Sequence, residues 1–161
     1  HEFVVELPAG WRHSTVVINK DPTLLRALTR EGFSLQTITI LKRQVSSDWP
    51  NTRKKVTPGM LPQEVAEVFL DNFRANPTLT HQQVLNQGPA TLGGRPGFRI
   101  HYAYRVRSGL MKQGLCYGAV IDGALYALLY EAPTRHYFAR DLPTFDTLKE
   151  SFHVGSNGQK S

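Results

Sequence analysis

The dipeptide Asp122-Gly123 stands between two apolar runs, Gly114 to Ile121 and Ala124 to Ala132. Both residues tolerate the positive φ of a two-residue hairpin turn, so the runs are predicted to be neighbouring antiparallel strands. Phe98 to Arg107 precedes them and alternates. One side carries Phe98, Ile100, Tyr102, Tyr104 and Val106; the other carries Arg99, His101, Ala103, Arg105 and Arg107. Three strands in succession define an antiparallel meander.

Two helices are predicted around it. Pro62 opens Gln63 to Asn76, where Val65, Phe69 and Phe73 recur at four-residue spacing beside Ala66 and Leu70. Glu64 and Glu67 lie early, Arg74 lies late and Pro77 stops the run, the order that the helix dipole and proline chemistry favour. A closing helix is predicted over Leu142 to Phe152, with Phe145, Leu148 and Phe152 on one face.

The remaining segments are shorter. Phe3 to Leu7, Thr15 to Asn19 and Phe33 to Arg43 read as strands. Asp21-Pro22 looks like a cap and first helical position, predicting a brief helix or turn over Leu24 to Leu28. Gln44 to Met60 is a long loop, and Gln82 to Gln87 with Ala90 to Leu92 is strand and turn material. Gly93-Gly94-Arg95-Pro96-Gly97 is a β turn with an arginine at its tip; a strand follows it, not the helix that a phosphate cradle needs. The expectation is an α+β fold, an antiparallel β-sheet flanked by helices, in one domain spanning 4–153. Residues 1–3 read as the remnant of a histidine tag and cloning site, and 154–161 as a flexible tail.

A chain of 161 residues can bury roughly two thirds of its unfolded surface in one core. Cys116 is its only cysteine, so no internal disulfide staples the fold. No stretch reaches the roughly 18 apolar residues that span a bilayer. A leader is expected to have been removed upstream.

Catalytic and metal motifs do not assemble in the sequence. The five histidines after His1 show no zinc-binding spacing, and no Gly-x-Ser-x-Gly elbow is present. Cys116 falls inside an apolar strand, where a thiol behaves as a small hydrophobe. Glu64, Glu67 and Asp71 read as a solvated helix side. The tyrosines and arginines of Phe98 to Arg107 face opposite ways, which argues against a stacking platform for single-stranded nucleic acid. No cofactor, catalytic residue or metal ligand is assigned.

Several pieces in order resemble the PsbP-like family: Leu7-Pro8-Ala9-Gly10-Trp11, then Gly93 to Phe98 leading into a tyrosine-rich strand, then Ala124 to Ala132, then Phe145 to Phe152. The resemblance implies an α/β/α sandwich and a non-catalytic module that binds partners or helps assemble a complex. It also implies relatives among bacterial envelope lipoproteins, hence a periplasmic or outer-membrane-associated location, with a cytoplasmic one left open. No photosystem-specific basic arm is present.

The formal charge of +6 favours anionic partners. Arg99, His101, Arg105 and Arg107 read as the solvent face of the sheet, and their mutual repulsion would be relieved by an acidic protein partner or an anionic surface. Candidate contacts are Arg99, Arg105, Arg107 and Lys112, with Trp49, Arg53, Lys54 and Lys55 on the long loop as a second group. A second reading is a carrier of a small apolar or amphipathic ligand, lined by tyrosines with Phe69, Phe73 and Phe145. An enzyme of unrecognised class is the third.

Overall fold

The structure, a computed structural model, describes residues 2–15 and 21–155. In chain order the elements are β1 (Phe3–Val4), β2 (Arg12–His13), β3 (Leu24–Thr29), β4 (Thr37–Gln44), α1 (Pro62–Arg74), β5 (Thr80–Leu92), β6 (Arg95–Arg105), β7 (Met111–Ile121), β8 (Ala124–Pro133), α2 (Ala139–Ser151) and β9 (His153–Val154). Seven strands pair antiparallel in the order β2-β3-β4-β8-β7-β6-β5, and β1 pairs with β9 in a small separate ribbon. This is the α+β architecture expected, and its centre is the predicted meander.

Asp122 and Gly123 take φ of 53° and 81°, and Ile121 pairs with Ala124 across them, so the hairpin forms as its turn residues dictate. Gly93 and Gly94, at φ of 60° and 77°, make an equivalent turn between Leu92 and Arg95.

The helices cover opposite faces. Val65, Ala66, Val68, Leu70 and Phe73 of α1 pack on Phe98, Ile100, Tyr102, Tyr104 and Cys116. Phe145 and Leu148 of α2, followed by Phe152, pack on Leu115, Ala119, Ile121, Tyr126, Leu128 and Tyr130. Strand alternation divides the sheet's side chains between these two cores.

Three local expectations are corrected. Leu24 to Leu28 is strand β3, not a helix. The Asp21 carboxylate accepts from the backbone N–H (3.0 Å) and hydroxyl (2.7 Å) of Thr23, and the Leu24 N–H closes a turn on the Asp21 carbonyl at 3.0 Å. The same side-chain chemistry that caps helices here makes a tight turn, and pairing with β4 extends the next residues into a strand. Phe33 to Gln36 leads into β4 and is not part of it. Finally, β5 runs unbroken through Gly88-Pro89, because a proline is tolerated where its missing N–H points off the sheet's edge.

The chain ends join the structure. Phe3 stacks on Phe152 at 5.9 Å, and the Glu2 carboxylate accepts from Lys42 (2.7 Å) and Tyr126 (2.8 Å). Residues read as a tag remnant thus take part in the fold, and Val154, assigned to the tail, pairs with Phe3. Residues 16–19 of the strand predicted over Thr15 to Asn19, and the tail beyond Gly155, lie outside the described residues.

Candidate functional site

The basic alternation of β6 is real, but the face that carries it is only partly open to solvent. His101 stacks on Phe138 at 5.4 Å with rings 8° apart, and its Nε2 lies 2.8 Å from the Gln113 side chain. Arg99 is half-buried and donates to Asn86 Oδ1 at 2.7 Å, and Arg105 is also half-buried. Phe138, in the segment leading into α2, covers His101. The solvent-face expectation is therefore corrected for His101, while Arg99 and Arg105 are half-buried with Arg99 in an exposed hydrogen bond.

The predicted contact residues do not form one patch. Lys112 pairs in register with Tyr104 and faces the α1 side, opposite to Arg99. Burial lowers its pKa and the Glu131 charge opposes that shift. Arg107 is exposed in the β6–β7 turn. On the long loop, Trp49 is buried against Phe69 in an edge contact at 6.3 Å, with the Arg43 guanidinium 4.7 Å from its ring. Lys54 is held by Asp71 at 2.5 Å and Lys55 by Asp48 at 3.3 Å, whereas Arg53 is exposed.

Two polar clusters escaped the sequence reading. On the α1 side, Tyr102 donates to Glu131 at 2.6 Å. Burial and the neighbouring carboxylate raise the pKa of both Tyr102 and Tyr104, so both phenols stay neutral donors. On the α2 side, the buried carboxylate of Asp141 accepts from Arg30 (2.7 Å), Arg140 (2.8 Å) and Gln36 (3.2 Å), tying the β3–β4 connection to the start of α2. Both clusters are internally satisfied and pin elements together. Cys116 faces α1 with a thiol pKa raised by burial, away from His101 and Tyr117, which point to the other face.

A groove of about 710 Å³ opens between the first turns of α1 and the β5–β6 ribbon. Pro62, Gln63 and Ala66 form one wall, with Gln87 to Thr91 and Pro96 to Phe98 opposite. Pro89 pairs with Phe98, so their side chains share the α1 face and floor the groove. Arg99 also lines it, but as the next residue on the strand its side chain turns to the other face, toward Asn86. Arg99 is thus the one ionisable residue of the lining and its head group turns away, while the Glu67 carboxylate of α1 reaches the groove's margin and accepts from the Gln87 side chain at 3.4 Å. Exposed Val120 extends its apolar surface at the helix end through a smaller adjoining pocket. The groove lies at the opposite end of α1 from Phe73, and Phe145 is on the other side of the sheet. Phe69 and Phe73 fill their space against Tyr102 at 6.2 and 4.9 Å, so the ligand lining expected from the sequence is corrected.

Among the described residues, no helix is long and apolar enough to cross a membrane, and no group of three His, Cys, Asp or Glu side chains could hold a metal.

An antiparallel sheet with one helix on each face is an α/β/α sandwich, the arrangement expected of a PsbP-like fold. The solved structures bear this out. The chain resembles cyanobacterial PsbP (CyanoP) from Synechocystis, with TM-score 0.62 and 15% identity over 95% of this chain and 92% of that one. It also resembles LpqN of Mycobacterium tuberculosis, described as involved in cell envelope biogenesis, with TM-score 0.56 and 15% identity over 94% and 82% of the two chains. The Ran-binding protein Mog1p of Saccharomyces cerevisiae matches with TM-score 0.61 and 10% identity over 95% and 90%. At these identities the likeness is one of fold. No family model matches the chain, and no curated protein is similar to it in sequence.

Proposed function

We propose that this domain is a non-enzymatic binding or assembly module working outside the cytoplasm, in the cell envelope, and that it holds an acidic protein partner at the groove beside α1. The observation that carries the reading is the make-up of the groove: its walls offer mainly apolar side chains, amides and backbone, and the one carboxylate at its margin, Glu67, is engaged by Gln87. Such a lining suits a partner's apolar side chains and backbone, and it brings no pair of titratable groups together as acid and base. Two fold neighbours are described by binding or assembly roles, one in Ran binding and one in envelope biogenesis, which supports the same class. The net charge of +6 favours an acidic partner. Arg99 behind the groove, with Arg53 and Arg107 on the surface, are its proposed electrostatic contacts.

The test is site-specific photocrosslinking in the producing cell. Benzoylphenylalanine at exposed Gln63, on the groove wall, is expected to form a protein adduct that the same group at exposed Glu150, on the opposite side, does not. Equal adducts at both sites, or none at Gln63, would overturn the reading.

A second reading, a carrier of a small amphipathic molecule, is favoured by the groove's volume, since ligand sites commonly span about 300–1,000 Å³. Native mass spectrometry separates the two: a retained small mass lost on Gln63→Trp substitution supports the carrier.

A further inference from the structure

Strand β5 is an edge of the seven-stranded sheet and runs 13 residues, Thr80–Leu92, without a single Lys, Arg, Asp or Glu. Charges are a common device by which edges refuse another strand. The register shows which of its backbone groups are unused. The two-residue turn at Gly93-Gly94 makes Leu92 and Arg95 a hydrogen-bonded pair, so alternate pairs outward, Ala90 with Gly97 and Gly88 with Arg99, are bonded as well. The residues between them, Gln87, Pro89 and Thr91, turn their main-chain groups away from β6. That leaves the N–H and C=O of Gln87 and Thr91 and the C=O of Pro89 in a row at strand spacing. All three residues are exposed, and all three line the groove.

We infer that the partner binds by strand addition: an extended segment pairs with the outer edge of β5 from Gln87 to Thr91 and lowers alternate apolar side chains into the groove. This inference rests on the groove being the binding site and specifies how it is used. The two faces of the added strand would meet different chemistry. Toward α1 lie Pro62, Ala66, Pro89 and Phe98, which select apolar side chains. Toward α2, the Arg99 guanidinium reaches over the edge strand to Asn86, and Gly88 beside it presents no side chain. A carboxylate on that face of the added strand would meet Arg99. The segment is therefore one in which apolar residues alternate with acidic ones.

Pro89 discriminates between occupants. In a two-fold pairing of β5 with a second copy centred on Pro89, the same residue pair would lack both N–H groups. A foreign strand loses only one bond there, because its own N–H still reaches the Pro89 carbonyl. A partner protein's strand fits the edge better than another copy of this chain.

The experiment uses the whole chain and a fluorescent peptide of about ten residues alternating valine and glutamate, followed by polarisation anisotropy. Two control peptides accompany it. One alternates valine and lysine; the other keeps the valine-glutamate side chains but is N-methylated on alternate residues, so that it cannot pair. The valine-glutamate peptide should bind at least about tenfold more tightly than either control. Thr91→Pro removes an outward N–H that the sheet does not use and should weaken binding about as much, with the thermal midpoint checked for an intact fold. Arg99→Glu should reverse the order of the glutamate and lysine peptides.

Equal binding of the methylated and unmethylated peptides would overturn strand addition while leaving the groove as the site. Absence of peptide binding, with the Gln63 crosslink still formed, would overturn it in the same way. A dimer dissociated by Thr91→Pro would replace the foreign strand by a second copy. Peptide binding undiminished by Gln63→Trp would remove the groove itself, and the proposed function with it.

Discussion

Replacing Asp141 should cost the domain about 2 kcal/mol at neutral pH, and that cost should shrink in acid. Its carboxylate is 1% exposed and accepts from Arg30, Arg140 and Gln36. Breaking a buried ion pair typically costs about 3–5 kcal/mol, because a charge is left stranded. Here the stranded groups are less committed. The Arg30 and Arg140 side chains are 46% and 38% exposed, and Arg140 and Gln36 keep Glu31 at 2.6 and 2.9 Å, so water and a second acid compensate in part. Asp141→Asn should be no milder than Asp141→Ala, because its amide places a donor where three donors already point. Burial alone would raise the Asp141 pKa, but hydrogen bonds from Arg140, Gln36 and Arg30 outweigh it and hold the folded value below the ordinary one. A depressed carboxylate stabilises the fold above its unfolded pKa of about 3.9, and that stability is lost as pH falls through the folded pKa. The gap between wild type and Asp141→Ala should therefore be constant from about pH 8 to pH 5 and narrow below about pH 4. Glu2, also held low, is present in both proteins and cancels, whereas Glu31 shares Arg140 and Gln36 with Asp141 and its compensation is already counted in the smaller cost. Urea unfolding read by tryptophan fluorescence, with m on the order of 2 kcal/mol/M, should give midpoints about 1 M apart at pH 7. Coincident midpoints at pH 7, or a gap undiminished at pH 3, would refute the reasoning.

Gly114→Ala should destabilise by about 3 kcal/mol, the upper end for overpacking. A Cβ there would stand 2.2 Å from Cζ of Tyr102, whose ring is held by Phe73 at 4.9 Å and by its hydrogen bond to Glu131; an unchanged urea midpoint would show that the ring can retreat. Cys116 should resist iodoacetamide in the native protein at about pH 8 and react once urea unfolds it, because burial both shields the thiol and raises its pKa; mass spectrometry showing prompt native labelling would contradict the packing described.

The meander, both helices and the division of β6 into two faces were legible because each depends on local chemistry: Asp122-Gly123, the spacing of Val65, Phe69 and Phe73, and the two-residue period of a strand. Period states which side chains share a face and is silent about what lies over it. Arg99, His101 and Arg105 therefore looked like a wetted surface. The cover over His101 comes from Phe138, just before α2, which begins at Ala139, ahead of the Pro143 that marks a helix start in the sequence. The brief helix expected at Leu24 failed for a related reason, since an aspartate that caps a helix can equally close a turn into a strand, and only pairing with β4 distinguishes the two.

The groove and the edge depend on still longer connections. The uncharged composition of β5 is plain in the sequence, but whether an uncharged strand is central or peripheral is set by sheet order. Had β4 paired with β5, its backbone would be consumed and its neutrality would be unremarkable. β4 instead pairs with β8 along its whole length, from Thr37 with Glu131 to Gln44 with Ala124, and carries β3 and β2 outward with it. The amino-terminal strands thus extend the sheet at the far side of β8. β5 is left as the opposite boundary, directly beneath the first turns of α1, where its free carbonyls and amides adjoin the apolar groove. One pairing decision far from the site is what turns Gln87 to Thr91 from sheet interior into a surface that another strand can read.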